Sequence, residues 1–229
     1  ARSLKALDRK PEALARFEAA ARLFEQLQDD AGLRSVLPEI GALQRAQGDE
    51  AAGARTLARA VELHRAAGDD DALSRDLTEL GLSLEAQRRK QEALAVFLEA
   101  VETDLRRADR RGESIDRRHA GTLLGQLARY DEALLQLGQS LELARALDDG
   151  ELTMSAFSEL GALYDLRTEY AKAADLYSAA AAVAHELGLR GTESVELTNL
   201  GDALKNAHRY DEALEVYARV LAFDRDVGD

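Results

Sequence analysis

Glycine stands at positions 41, 81, 121, 161 and 201, forty residues apart each time with no insertion or deletion. Self-similarity at a fixed period of roughly 20–50 residues marks a repeat array, in which each unit buries its apolar face on its neighbours. With each glycine numbered column 1, six copies align, the first opening at Ala1 and the last stopping at Asp229. Column 40 holds Ile40, Leu80, Ala120, Leu160 and Leu200. Column 37 holds Leu37, Leu77, Arg117, Phe157 and Leu197. Column 13 is small (Ala93, Ala133, Ala173, Ala213), column 17 is large (Phe17, Leu57, Phe97, Leu137, Tyr177, Tyr217), and column 20 is small again. Spacings of three and four between these columns are helical, not strand-like.

Each copy therefore reads as two helices. Helix A is expected from about column 31 through the glycine to column 7, and helix B from about column 11 to column 27. Acidic and glycine-rich links such as Gln28-Asp29-Asp30, Gly68-Asp69-Asp70-Asp71 and Asp148-Asp149-Gly150 separate the copies and supply helix stops and starts. Column-1 glycine, lacking a Cβ, lets helix A approach helix B, which outweighs its intrinsic helix penalty of about 1 kcal/mol. Pro11 falls in the first turn of a helix B, where its missing N–H is harmless. Pro38 falls well inside a helix A. A late start near Ser35, a good N-cap, is the expected solution.

These columns resemble the tetratricopeptide (TPR) signature of a large apolar residue, x2, Leu-Gly, x2, Tyr, then Ala-x3-Phe. The fifth copy reads Phe157-x2-Leu160-Gly161-x2-Tyr164, then Ala173-x3-Tyr177. The sixth reads Leu197-x2-Leu200-Gly201-x2-Leu204, then Ala213-x3-Tyr217. Two departures stand out: the period is 40 rather than 34, and the family's late proline is replaced by residues such as Glu25, Arg65 and His185. The longer form is similar to repeats in sensor arms of bacterial signalling proteins and in kinesin light chains. The resemblance implies an all-α, right-handed superhelical solenoid of antiparallel helix pairs. It is a single array over 1–229 with about six repeats, at approximately 1–30, 31–70, 71–110, 111–150, 151–190 and 191–229.

Composition narrows the function classes. There is no cysteine, which excludes disulfides, thiol catalysis and Cys-ligated zinc. No apolar run approaches a membrane span, and the cytoplasm is the expected location. The net charge of −13 opposes a general nucleic-acid role and favours basic partners. Charge is uneven: residues 121–160 carry 2 Lys and Arg against 7 Asp and Glu, whereas 81–120 carry 9 against 8. The four histidines, His64, His119, His185 and His208, share no metal-ligand spacing, and the Asp runs lack the calcium-loop pattern, so no metal and no cofactor is expected. No nucleophile, base and oxyanion set is visible, so no enzyme is expected. Arg106, Arg107, Arg110 and Arg111 form the densest basic run, read as helix C-terminal charge or as a docking edge continued by Arg117 and Arg118.

The resemblance implies that helix A lines a concave groove for an extended or helical peptide. Its columns place Glu39, Glu79, Arg118, His119, Thr122, Glu159, Asn199 and Asp202 there. Column 39 carries asparagine only at Asn199, whereas backbone-gripping family members often carry it repeatedly. The expected function is a protein- or peptide-binding scaffold or sensor module whose partner carries basic residues. The alternative is a structural, self-associating or intramolecular regulatory arm of a larger signalling protein. The last helix keeps Leu214, Tyr217, Val220, Leu221 and Phe223 with no following helix A, so that further repeats, a flanking domain or another copy are expected to cover that end.

Overall fold

The computed structural model describes residues 10–227, with side chains as far as residue 222. The first helix A, including Ala1, Arg2, Leu4 and Lys5, and the Phe223 side chain lie outside the described residues. Among these residues there are eleven helices and no strand. They are α1 (Lys10–Leu27), α2 (Asp30–Ala46), α3 (Glu50–Ala67), α4 (Asp70–Ala86), α5 (Lys90–Arg107), α6 (Arg110–Gln126), α7 (Tyr130–Ala146), α8 (Gly150–Leu166), α9 (Tyr170–Glu186), α10 (Arg190–Asn206) and α11 (Tyr210–Val227). A helix begins every twenty residues, half the sequence period, so even-numbered helices are helix A and odd-numbered ones helix B. Each begins about one residue earlier than the columns suggested. The chain divides into two compact units, one ending at Gly112 and one starting at Glu113.

The turns repeat as faithfully as the helices. In all ten, the residue at column 8 or 28 has positive φ: Gln28, Gly48, Gly68, Arg88, Ala108, Ala128, Asp148, Thr168, Gly188 and His208. Its N–H bonds three residues back, and the next N–H five residues back, as in Gly48 to Arg45 (2.8 Å) and Asp49 to Gln44 (3.0 Å). This is the Schellman ending, which satisfies carbonyls that a helix end leaves bare. Asp29, Asp49, Asp69 and Asp149 then cap the following helix, accepting from the backbone N–H three residues on at 2.9–3.1 Å. The Asp69 and Asp149 runs are thus helix starts. Thr168, β-branched at φ 60°, is the costliest occupant of this left-handed position. Thr168→Gly is expected to stabilise the second unit by roughly 1 kcal/mol, read as a higher urea midpoint; an unchanged or lower midpoint would contradict this account of the turn.

Pro38 corrects the sequence reading. Helix α2 does not start late: it begins at Asp30, capped by Asp29, and runs through Pro38 to Ala46. Ser35 is interior, its hydroxyl donating to Gly32 O at 2.7 Å. Burial accounts for this, because Leu33, Val36, Leu37 and Ile40 form one buried face with Ala21 and Ala60. Losing that face outweighs the one hydrogen bond that proline removes.

The core is built large on small. A Cβ placed on Gly41, Gly81, Gly121, Gly161 or Gly201 would stand 2.5–2.9 Å from the column-17 side chain of the same repeat. Those partners are Leu57, Phe97, Leu137, Tyr177 and Tyr217. Columns 13 and 20 flank that seat with Ala93, Ala100, Ala133, Ala173 and Ala180, all fully buried. Polar exceptions are satisfied in place. Ser140 in column 20 exchanges hydrogen bonds with Ser114, donating at 2.7 Å and accepting at 3.0 Å. Arg117 in column 37 donates to buried Glu113 (2.7 Å) and to Gln136 (2.8 Å).

Candidate functional site

Helix-A residues seven apart share a face, so columns 38 and 5 lie on one side of each helix A, bracketing columns 39 and 2. The eight sequence-derived groove residues fall in both units. Glu39 and Glu79 belong to the first. Glu39 is exposed on α2, and Glu79 on α4 is held by Arg45 of α2, which also reaches Glu50 at 3.2 Å. Glu79 therefore shares one cation with Glu50. Arg106 and Arg107 of the basic run, at the end of α5, pair with Asp70 (3.1 Å) and Asp71 (2.6 Å) at the start of α4. These two arginines join α5 to α4.

The second unit gathers the other six on α6, α8 and α10. On α6, Arg118 Nη2 lies 3.1 Å from His119 Nε2, and Arg118 Nη1 lies 3.9 Å from Glu159 of α8. The Arg118 Nε–H is buried and has no hydrogen-bond partner. Thr122 donates to Arg118 O at 2.9 Å, within its own helix. On α8, Asp165 Oδ1 is likewise buried without a partner. On α10, Asn199 lies 3.5 Å from Glu196, to which Ser158 of α8 donates at 2.9 Å. Asp202 stands apart, accepting from Lys205 (2.6 Å) and from the Tyr217 hydroxyl (2.8 Å).

The local electrostatics follow from burial and from crowded carboxylates. Burial pushes the Glu196 carboxyl above its ordinary range; bonds from Ser158 and Asn199 oppose this, and neighbouring Glu159 reinforces it. Burial, with the negative charges of Asp165, Glu196 and Glu159, holds the Tyr177 phenol protonated well above its usual range. Burial first, and the Arg118 charge second, push His119 down to about 4. A depressed histidine contributes stability that is complete above its unfolded value near 6.5 and is lost as pH falls toward 4. Acid sensitivity of up to about 3 kcal/mol is expected in that window. The His119 ring proton, followed by NMR, should titrate near 4, and a midpoint near 6.5 would contradict the site's geometry.

Sequence reasoning missed Glu196 and Asp165's isolation. Column 36 held the available signal: Asp76, Asp116 and Glu196 stand where Val36 and Ala156 occupy the same place. It likewise missed the buried pair of His64 and Asp76 (2.7 Å) in the first unit. Among the described residues no group of three or more histidine, cysteine or acidic side chains could hold a metal ion. None of their helices is long and apolar enough to cross a membrane.

A tetratricopeptide-repeat family model matches residues 196–229. The search of curated protein sequences gives no match. The fold is shared with BtubC (BKLC) from P. vanneervenii at TM-score 0.82 and 18% identity, covering 97% of this chain and 92% of that one. It is shared with the TPR-like repeats of a putative kinesin light chain from Podosopora anserina at TM-score 0.72 and 16% identity, covering 86% and 97%. A Rap protein complexed with Competence and Sporulation Factor matches at TM-score 0.70 and 16% identity, covering 86% of this chain and 56% of that one. The described helices form antiparallel pairs in succession, the same all-α fold as the TPR-like repeats of these structures.

Proposed function

We propose that the chain is a peptide-binding module that takes an extended, cation-bearing partner segment along the α6, α8 and α10 face of the second unit. One observation carries this reading: Arg118 Nε and Asp165 Oδ1 are a buried donor and a buried acceptor without partners, on neighbouring helices of one face. Leaving such a group unpaired costs about 1–3 kcal/mol, so each of the two calls for a partner, from water or from a bound segment. An extended peptide offers both complements: a backbone carbonyl for Arg118 Nε, and a backbone N–H or ammonium for Asp165. Glu159, pulled only weakly by Arg118 at 3.9 Å, is the second acceptor for a Lys or Arg side chain. The carboxylates of Glu159, Glu196 and Asp165, which add to burial in raising Tyr177, favour the same cation. Asn199, joined to Glu196, would orient that carboxyl. Asp202, already paired, would not touch the partner. The module binds rather than catalyses, in the cytoplasm, and Rap with its bound factor offers an analogy in kind.

Peptides selected on the purified chain from a random 12-mer display library provide the test. Enrichment of Lys or Arg, with affinity falling at least tenfold in Arg118→Glu and in Glu159→Lys, is expected. Affinity unchanged in both variants would place binding elsewhere.

A further inference from the structure

In the first unit, charge closes the layer of B helices. Column 25 of one helix B meets column 19 of the next. Glu25 of α1 pairs with Arg59 of α3, and Arg65 of α3 pairs with Glu99 of α5 at 2.6 Å. In the second unit, Arg145 in column 25 of α7 instead lies over the Phe157 ring at 5.0 Å. At α9 and α11 the same two columns hold His185 and Arg219, both basic. Among the described residues Arg219 has no ion pair and no side-chain hydrogen bond.

A cleft of about 320 Å³ lies where that charge pair is missing, and both His185 and Arg219 line it. Its walls are α9 and α11, and its floor is α10, with Leu197 and Leu200 buried beneath it. Small residues of α9 make the room: Ala181 and Ala182 stand where α3 has Val61 and Glu62 and α5 has Val101 and Glu102. Charge in the cleft is divided. Glu193 in column 33 is 4% exposed. Its equivalent on α6, Glu113, bonds Arg117 four residues on, whereas Glu193 has Leu197 there and lies 3.1 Å from His185 Nδ1 instead. That contact engages the buried carboxylate and orients the imidazole. The other carboxylate, Glu186, is exposed. Arg219 is left as a cation without a counter-charge.

We propose that this cleft binds a small carboxylic acid with a short aliphatic chain. Its carboxylate takes the place that Glu25 and Glu99 fill in the first unit and accepts from the Arg219 guanidinium. Its chain lies over Ala181, Leu197 and Leu200. The volume is at the lower end of the roughly 300–1,000 Å³ usual for ligand sites, which suits a small molecule better than a chain segment. Columns 33, 37 and 40 share one face of α10, opposite columns 38 and 2. The cleft is therefore separate from the face proposed above for a peptide, and the two readings stand or fall independently.

The probe is hexanoate, titrated into the ¹⁵N-labelled full chain, with hexanol and hexylamine as comparisons of equal chain length. Hexanoate is expected to shift the amides of Ser178, Ala182, His185 and Leu200 saturably, with a Kd of roughly 1 mM or tighter. Hexanol and hexylamine should bind at least tenfold more weakly. Arg219→Glu removes the guanidinium and supplies the charge partner that His185 lacks. Ala182→Glu restores the glutamate that α3 and α5 carry in column 22. Each should abolish the hexanoate shifts; both positions are exposed, and circular dichroism confirms folding. A capped Ala-Glu-Ala peptide should not displace hexanoate; displacement would make a protein side chain the source of the carboxylate and overturn the small-molecule assignment. No saturable shift at about 20 mM hexanoate, shifts that persist in either variant, or hexanol or hexylamine binding as tightly as hexanoate also overturns the proposal.

Discussion

Phe97→Ala is expected to destabilise the first unit by about 3–5 kcal/mol, near the upper end for a single core truncation. Phe97 is fully buried, its ring seated over Gly81 and flanked by Ala93 and Ala100, both fully buried. The neighbours are small by design of the register, and each is fixed on a helix backbone. None can swing into the space that the ring leaves, so the cavity stays open and its cost is not recovered by collapse. Urea unfolding checks this. A loss below about 1 kcal/mol would mean that the column-17 seat is not the centre of the repeat.

One substitution at two glycines should give opposite signs. Gly121→Ala places a methyl 2.6 Å from Leu137 Cγ, 2.9 Å from its Cδ2 and 3.3 Å from Ala133 O. The Leu137 side chain is fully buried, and the carbonyl is backbone, so neither yields cheaply. Overpacking of this kind costs about 1–3 kcal/mol, more than the gain of roughly 1 kcal/mol from replacing glycine in a helix. Gly138→Ala, seventeen residues on in α7, meets nothing within 4 Å. Only the helix-propensity gain remains there, about 0.5–1 kcal/mol of added stability. Thermal unfolding of the two variants side by side is sufficient. Stabilisation by both, or destabilisation by both, would contradict the large-on-small packing.

The period and its small and large columns were legible because they arise from local periodicity and close helix contact, both written in residue size. Gly121 over Leu137 and the buried run Ala93, Phe97, Ala100 follow directly from spacing. What escaped was tertiary. Pro38 and Ser35 read locally as a helix start, but the burial of Leu33, Val36 and Leu37 decides the helix, and that burial depends on α1 and α3. The helix stop at Gly68 was legible, but the left-handed turns at Arg88, Thr168 and His208 were hidden, because there the fold imposes a conformation that the side chain does not prefer. The columns put Arg118, His119 and Glu159 on successive helices A, and in the structure Arg118 lies 3.9 Å from Glu159. They could not show that Asp202 is paired with Tyr217, that Ser158 turns to Glu196, or that Asp165 Oδ1 has no hydrogen-bond partner. Those outcomes depend on distances of a few tenths of an ångström between side chains of different repeats.

The most direct test of the binding account is the Arg118 Nε–H resonance in the ¹⁵N-labelled protein as a selected Lys-bearing peptide is added. The account predicts that this proton shifts with peptide occupancy and becomes protected from exchange, because it gains a carbonyl partner that it lacks in the free chain. Saturation of the peptide with the Arg118 Nε–H unmoved, while resonances of the α7 and α9 surface shift, would contradict it.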